Sequence, residues 1–437
     1  MERRSVLGAL AAGPAIPGMA AQTAGSAAPG GKIGGSTLVK LRDRYKYDLF
    51  EDYLPFVDKH VIDHELGGFM CATDRDGTNL NKNKRTWYEG RGIWVHSFLY
   101  NHFGKDPRQL ETARKSVEFI LKTLPQGDVT WPDGFTREGR PLGGPAPEIY
   151  GDLFVAEGLD EYARATGERK YHELAKDLIR KCVRIFDRPD YRPDIGQTYL
   201  GPGAPLLPGA RIQGVWMVLT NILTSMLEAQ PDAEMEKLAA RCGDAIMNRH
   251  YQPEFGLNAE LLKHDMSRAP APYDQLVYTG HAIETMWMVV YEAARLKNRK
   301  LFDEAARRFQ HHVEVATDRV YGGVFRCLTN VDENVWKTDK VLWAQEEVLV
   351  GALFIVEHTG AAWARDLFAR QYAYVMDKYP LKKHGFALWI NQGDRKVTFE
   401  PHYNRVENFH HPRHLMLNLL CLERMIERGG KVSGLFA

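Results

Sequence analysis

Six short glycine–aromatic segments recur along this chain at nearly constant intervals, and that interval restricts the fold more than any other feature. They read GGFMCATDRDG at 67–77, DGFTREGR at 133–140, IGQTYLGPG at 195–203, FGLNAELLKHD at 255–265, GGVFRCLTNVDENV at 322–335 and HGFALWINQGDRK at 384–396. Anchored on Gly68, Gly134, Gly196, Gly256, Gly323 and Gly385, successive spacings are 66, 62, 60, 67 and 62 residues. Each segment is expected to be a tight turn feeding a short strand pair, because glycine admits positive φ and close backbone approach. Between them the apolar residues follow a helical period. In 281–296, for example, Ile283, Trp287, Val290, Tyr291 and Ala294 fall on one stripe. Comparable patterns predict helices at about 41–61, 90–104, 109–124, 150–164, 169–186, 211–229, 233–248, 300–316, 343–358, 361–377 and 411–427, twelve in all.

A unit of this length with two helices cannot cover its own apolar face, so neighbouring units must do it. An open stack would need polar caps at both ends, whereas a closed ring needs none. The expected fold is therefore all-α: an (α/α)6 barrel of six helix hairpins with short β-hairpins in the connecting loops. Residues 38–437 form one domain, with inner helices around a central cavity and the site on loops at one end.

Composition excludes several function classes. Hydrophobic residues at 44% and charged residues at 26% describe a globular chain. With 57 basic and 56 acidic side chains, there is no electrostatic basis for a nucleic acid partner. After the N-terminus no apolar run is long enough to span a membrane. Cys71, Cys182, Cys242, Cys327 and Cys421 are odd in number and widely spaced, which argues for buried thiols and against a disulfide framework or a cysteine zinc site. Arg3 and Arg4 precede a weakly apolar Ala/Gly-rich stretch ending near Ala20 and Ala21. Residues 1–21 are thus expected to be a twin-arginine export signal delivering the protein to the periplasm or outside the cell, and 22–37 a flexible linker.

Four clusters carry candidate chemistry. In GHAIETMW, His281 lies in a first helical turn, with Glu284 three residues on and placed to accept a hydrogen bond from its imidazole. A cap or packing contact is the alternative role for His281. NFHHPRHLM holds His410, His411, Arg413 and His414. Three close histidines suggest a metal, but no HExxH pattern supports one, so one histidine is expected to line the cavity and the others to be structural. In KVLWAQEEVL, Trp343, Gln345, Glu346 and Glu347 enter a helix together, and adjacent residues do not share a face, so one glutamate at most is expected to point inward. In KRTWYEGRGIW, Trp87 can stack on a sugar ring and Arg91 can bind an oxyanion, unless Arg91 forms a surface ion pair.

These four clusters, in this order, resemble the N-acylglucosamine 2-epimerase superfamily, which includes cellobiose 2-epimerases and mannose-type aldose–ketose isomerases. GGF…DRDG followed by WYEGR is similar to its Gly-Gly-aromatic and Trp-x-x-Gly-Arg pattern. GHAIE is similar to its Gly-His-x-x-Glu signature, LWAQEE to Trp-Trp-x-Gln-x-Glu, and FHHPR to Phe-His-x-Pro-Arg. The resemblance spans roughly residues 40–430 and implies an (α/α)6 barrel acting without cofactor or metal on a free reducing sugar or amino sugar, as monomer or homodimer. It implies catalytic roles for His281, His410, Arg91, Glu284 and Glu347, and substrate contacts for Trp87, Trp343, Gln345, Arg413 and Trp216. Histidine would remove the C2 proton of the open-chain sugar to give a cis-enediolate. Reprotonation on the opposite face of C2 gives the epimer, and protonation at C1 gives the ketose. N-acylglucosamine 2-epimerisation is the expected activity, with a mannose–fructose type isomerase or an oligosaccharide 2-epimerase as alternatives. A glycoside hydrolase or an exported sugar-binding module on the same barrel is the reading from other classes. Two departures stand out: RIQGVWMVLTN at 211–221 lacks a histidine, and Leu342 precedes Trp343 where a second tryptophan is usual.

Overall fold

The computed structural model describes residues 31–74, 76–381, 386–388 and 408–436. The export signal expected at 1–21 lies outside the described residues. Of the expected linker, residues 31–37 are described: Lys32–Ile33 pairs with Ser36–Thr37, and Ile33 is buried.

Once interrupted helices are joined, twelve long helices among the described residues alternate between an outer and an inner ring. The outer helices occupy 38–60, Pro107–Leu121, Arg169–Phe186, 233–249, Arg299–Ala316 and Ala362–Lys378. The first and fourth contain short π-helical stretches, Asp48–Tyr53 and Ala245–Arg249. The inner helices are Thr86–His102, Tyr150–Thr166, Gln213–Ala229, Thr279–Arg295, Leu342–Thr359 and His410–Glu427. Each inner helix packs against the next, and His410–Glu427 meets Thr86–His102 to close the ring.

Sequence explains which helix goes where. Arg169–Phe186 buries Ala175, Leu178, Ile179, Cys182 and Phe186 at three- and four-residue steps, leaving its other face to solvent. Leu342–Thr359, by contrast, is buried nearly all round, from Leu342 and Ala344 to Ile355 and Val356. The helix starts also differ. Four outer helices are capped by a side chain, from Thr37, Asp106, Asp232 and Asn298. None of the six inner helices is capped by the side chain of its own N-cap residue; they begin after Arg85, Ile149, Ile212, Tyr278, Val341 and Phe409.

Most of the glycine–aromatic segments form the expected turns and small pairings. Gly68, Gly256 and Gly323 all have positive φ. Gly134–Phe135 pairs with Lys84–Arg85, Tyr251–Gln252 with Leu257–Asn258, Leu261–Leu262 with Arg211–Ile212, and Cys327–Asn330 with Val335–Lys337. The segment at 195–203 departs from the expectation and winds into a short helix, Ile195–Leu200. Of the sixth segment only 386–388 is described, paired with Pro380–Leu381, and the rest lies outside the described residues. All five cysteines are buried free thiols.

One buried histidine pins the 255–265 segment to the outer ring. The backbone N–H of Asn258 donates to His312 Nε2 at 3.1 Å, while His312 Nδ1–H donates to the Arg308 carbonyl at 2.8 Å. Acceptance from Asn258 requires the neutral ring, and burial lowers its pKa from 6.5 to about 4. A folded-state value below that of the unfolded chain means His312 supports the fold above about pH 6.5 and loses that support as pH falls towards 4. The expected outcome by histidine NMR is a neutral Nδ1–H tautomer for His312 throughout pH 7.5 to about 5. A transition near the ordinary histidine value would show that the Asn258 bond is not made.

Candidate active site

The six inner helices run parallel, and their N-terminal turns surround a cavity of about 410 Å³. Trp87 and Arg91 line it from the first inner helix, Tyr150 and Phe154 from the second, and Met217 and Val218 from the third. His281 and Glu284 come from the fourth, Trp343 from the fifth and His410 from the sixth. Arg91, Arg85 and Arg326 share the lining with Asp133, Glu148, Asp194 and Glu284, so the cavity carries both charges, and Arg91 with the helix N-termini offers a place for a developing anion.

Both histidines are held through Nδ1 by a buried glutamate. His410 lies 2.9 Å from Glu347 Oε1 and His281 lies 2.9 Å from Glu260 Oε1. A guanidinium N–H of Arg91 donates to His410 Nε2 at 3.3 Å, so that nitrogen offers its lone pair and the Nδ1–H faces Glu347. Arg91 itself is buried among the rings of Trp87, Phe154 and Phe409, 4.1 to 4.8 Å from each centre. It is therefore a cavity residue, not a member of a surface ion pair. Trp343 packs against both imidazoles, its ring centre 5.9 Å from that of His281 and 5.2 Å from that of His410. The two rings are thus less than roughly 12 Å apart, within reach of one sugar carbon at hydrogen-bond contact from each side. Close approach has been secured by glycine: a Cβ at Gly280 would meet Trp343 at 2.5 Å, and one at Gly214 would meet the Tyr150 hydroxyl at 2.5 Å.

Behind the cavity sits a charged layer. Arg413 donates to Glu284 and Glu347, both at 2.6 Å, and the Trp287 indole N–H donates to Glu347 at 2.6 Å. Burial raises the Glu347 carboxyl while Arg413 opposes it. Burial also raises the Glu260 carboxyl, and His281 opposes that rise. The adjacent Glu346 faces away, to His411 at 2.5 Å and His414 at 3.4 Å. Its burial is outweighed by those two rings, which hold the carboxyl at about 2.

Several expectations need correction. Glu284 is not the partner of His281: it faces the cavity but bonds Arg413, and Glu260 takes the histidine. Arg413 is fully enclosed behind His410, where its charge is spent on two glutamates. Trp216 points outward against Phe186 and Arg241, and its neighbours Met217 and Val218 line the cavity instead. Both Glu346 and Glu347 are buried, on different faces. Gln345 is a structural residue. It accepts from the Val324 backbone N–H at 2.8 Å and donates to the Val324 carbonyl at 2.9 Å, holding the 322–335 segment against its helix. Glu89 has the equivalent role for the 67–77 segment, accepting from the Phe69 N–H at 2.9 Å. Glu260 was missed because it lies in a loop–strand segment, not a helix. A single acid inside the apolar run NAELL was the available signal, since a buried charge needs a partner.

A match to the family described as N-acylglucosamine 2-epimerase (GlcNAc 2-epimerase) extends over residues 67–412. The chain belongs to that family, within the wider group of carbohydrate epimerases and isomerases. It is 25% identical to the N-acylglucosamine 2-epimerase of Bos taurus over 419 residues, covering 91% of this chain and 95% of the relative. Its fold is that of the cellobiose 2-epimerase from Bacillus thermoamylovorans B4167, with TM-score 0.74 and 16% identity over 88% of this chain and all of the other (100%). It is also that of a D-mannose isomerase, with TM-score 0.72 and 14% identity over 88% of this chain and 97% of the other.

Replacing Gln345 by Leu is expected to destabilise the protein by about 1–3 kcal/mol, because a buried backbone N–H and carbonyl lose their partner. The measurement is urea unfolding beside substrate binding. A variant of unchanged stability with weakened sugar binding would return Gln345 to the site.

Proposed function

We propose that the protein is a cofactor-independent 2-epimerase of N-acylated hexosamines, acting on the open-chain aldehyde. The observation that carries this reading is the pair of histidine–glutamate dyads, His281–Glu260 and His410–Glu347, facing one cavity. Epimerisation at C2 needs a base on one face of the carbon and an acid on the other, and two imidazoles meet that need near neutral pH. In each dyad the glutamate orients Nδ1; His281 presents Nε2 to the substrate, and His410 does so by exchanging the Nε2 contact with Arg91 for the substrate. One histidine removes the C2 proton, electron density moves to the C1 oxygen, and the second histidine returns a proton to the opposite face. Arg91 and the partial positive charge of the helix N-termini stabilise the enediolate oxygen. Trp87 and Trp343 form apolar walls, and Met217 and Val218 suit an acyl methyl group. The relation to the bovine N-acylglucosamine 2-epimerase supports this choice of sugar. Hydrolysis would need two inward carboxylates acting as acid and base or nucleophile, a role for which the histidine pair has no use. The adjacent arginines near the N-terminus support catalysis outside the cytosol.

One observation favours a longer substrate. Arg85 and Asp133 line both this cavity and a neighbouring one of about 700 Å³, so the mouth continues into a groove able to take further sugar units.

Incubation of N-acetylglucosamine or N-acetylmannosamine with the enzyme in D2O is expected to place deuterium at C2 of the epimer. Ketose as the main product would turn the assignment to an isomerase, and turnover only with oligosaccharides would favour the longer substrate. His281→Asn and His410→Asn should each lower kcat by about 10²–10⁴-fold while the sugar still binds. Glu260→Gln, which can present an N–H to Nδ1 and reverse the tautomer, should cost on the order of 10³-fold. Full turnover in either histidine variant would end the two-base mechanism.

A further inference from the structure

Directly behind the catalytic helix starts, Glu346, His411 and His414 form a second buried cluster that the proposed chemistry does not use. Their side chains are 0 to 5% exposed. One ligand atom from each lies within 4.8 Å of the others. His411 Nδ1 is 2.5 Å and His414 Nδ1 3.4 Å from the same oxygen, Glu346 Oε1. His411 and His414 stand three residues apart on His410–Glu427, so they share a face turned to Leu342–Thr359, which carries Glu346.

We propose that this cluster is a structural site for a divalent transition metal of the Zn2+ class, held by Nδ1 of His411, Nδ1 of His414 and the carboxylate of Glu346. Two imidazoles and a carboxylate are a donor set suited to that ion. Two atoms point to a missing ligand: Glu346 Oε2 is buried without a hydrogen-bond partner, and His414 Nδ1, equally buried, has only the long 3.4 Å approach to Glu346 Oε1. The neighbouring trio of Glu284, Glu347 and His410 has the same kinds of donor, but there the Arg413 guanidinium already supplies the cation. The outer shell fits as well. His414 Nε2 lies 2.9 Å from the Tyr45 hydroxyl, which accepts from Asn418 at 3.1 Å, and such a partner on the far nitrogen fixes a metal-binding imidazole. Metal–ligand bonds of about 2.0–2.2 Å would spread the His411–Glu346 contact by roughly 1 Å, a carboxylate rotation. Bound there, the ion would tie the last inner helix to its neighbour one residue from both His410 and Glu347. It takes no part in proton transfer.

The test uses untagged full-length protein, stripped with a chelator and titrated with Zn2+ and with Co2+. The expected result is one equivalent retained by mass spectrometry of metals, a visible d–d spectrum with Co2+, and a raised Tm. Glu346→Gln and His414→Ala should weaken Zn2+ binding by more than about 100-fold, whereas Glu284→Gln, in the trio served by Arg413, should leave it unchanged. If either ligand variant fails to fold, the Co2+ spectrum of the wild type still decides, since nitrogen–oxygen coordination in a low-symmetry site differs from hydrated Co2+. Absence of stoichiometric binding by the wild type would overturn the proposal and leave the three groups as a hydrogen-bonded triad. Binding that survives both ligand substitutions, or is lost in Glu284→Gln, would equally overturn it.

Discussion

An inner helix of this protein is apolar round most of its circumference and cannot be stable with one face in water. Leu342–Thr359 illustrates the constraint: it is covered by Thr279–Arg295 on one side, His410–Glu427 on the other and Ala362–Lys378 outside. Satisfying the same demand six times leaves a closed ring, because the last inner helix must find cover and the first is the surface available. Everything at the site follows from that closure. Parallel inner helices bring six N-termini, with their partial positive charge, to one end.

Within this ring, buried charged side chains are gathered into partnered sets, as low local dielectric favours. Two sets repeat the same solution in different units. Lys84 pairs with Asp63 at 3.1 Å and donates to the Gly67 carbonyl; Lys340 pairs with Asp318 at 2.6 Å and donates to the Gly322 carbonyl. Each clamps a glycine turn to a lysine two residues before an inner helix. Glu89 and Gln345 then receive the next backbone N–H in the same way. The repeat seen as glycine spacing is thus also a repeat of buried hydrogen bonds, and it holds the loop from which Arg326 reaches the cavity.

The charged layer under the cavity divides into two trios on adjacent residues. Glu347 turns to His410 and Arg413, while Glu346 turns to His411 and His414. Consecutive residues on facing helices project in different directions, so each trio is separate although the sequences interleave. Arg413 neutralises one trio and thereby positions the glutamate that orients His410.

By itself the sequence determined the ring and much of its inventory. Apolar period marked twelve helices, glycine spacing marked the units, and short motifs placed Arg91, Trp87, Trp343, His281 and His410 where the cavity is. These features are legible because helix faces and turn residues are set by neighbours three to four positions away. Partnership is decided otherwise. Glu284 is three residues from His281, yet Glu260, 21 residues earlier, accepts its Nδ1–H. Gln345 and Trp216 stand beside cavity residues but face a loop and the outer ring, a rotation about the helix axis that spacing alone does not fix. Arg413 looks like a substrate contact until closure buries it between Glu284 and Glu347. Tertiary structure alone made these choices, because a buried charge takes the partner that packing brings within hydrogen-bond reach, whatever the distance along the chain.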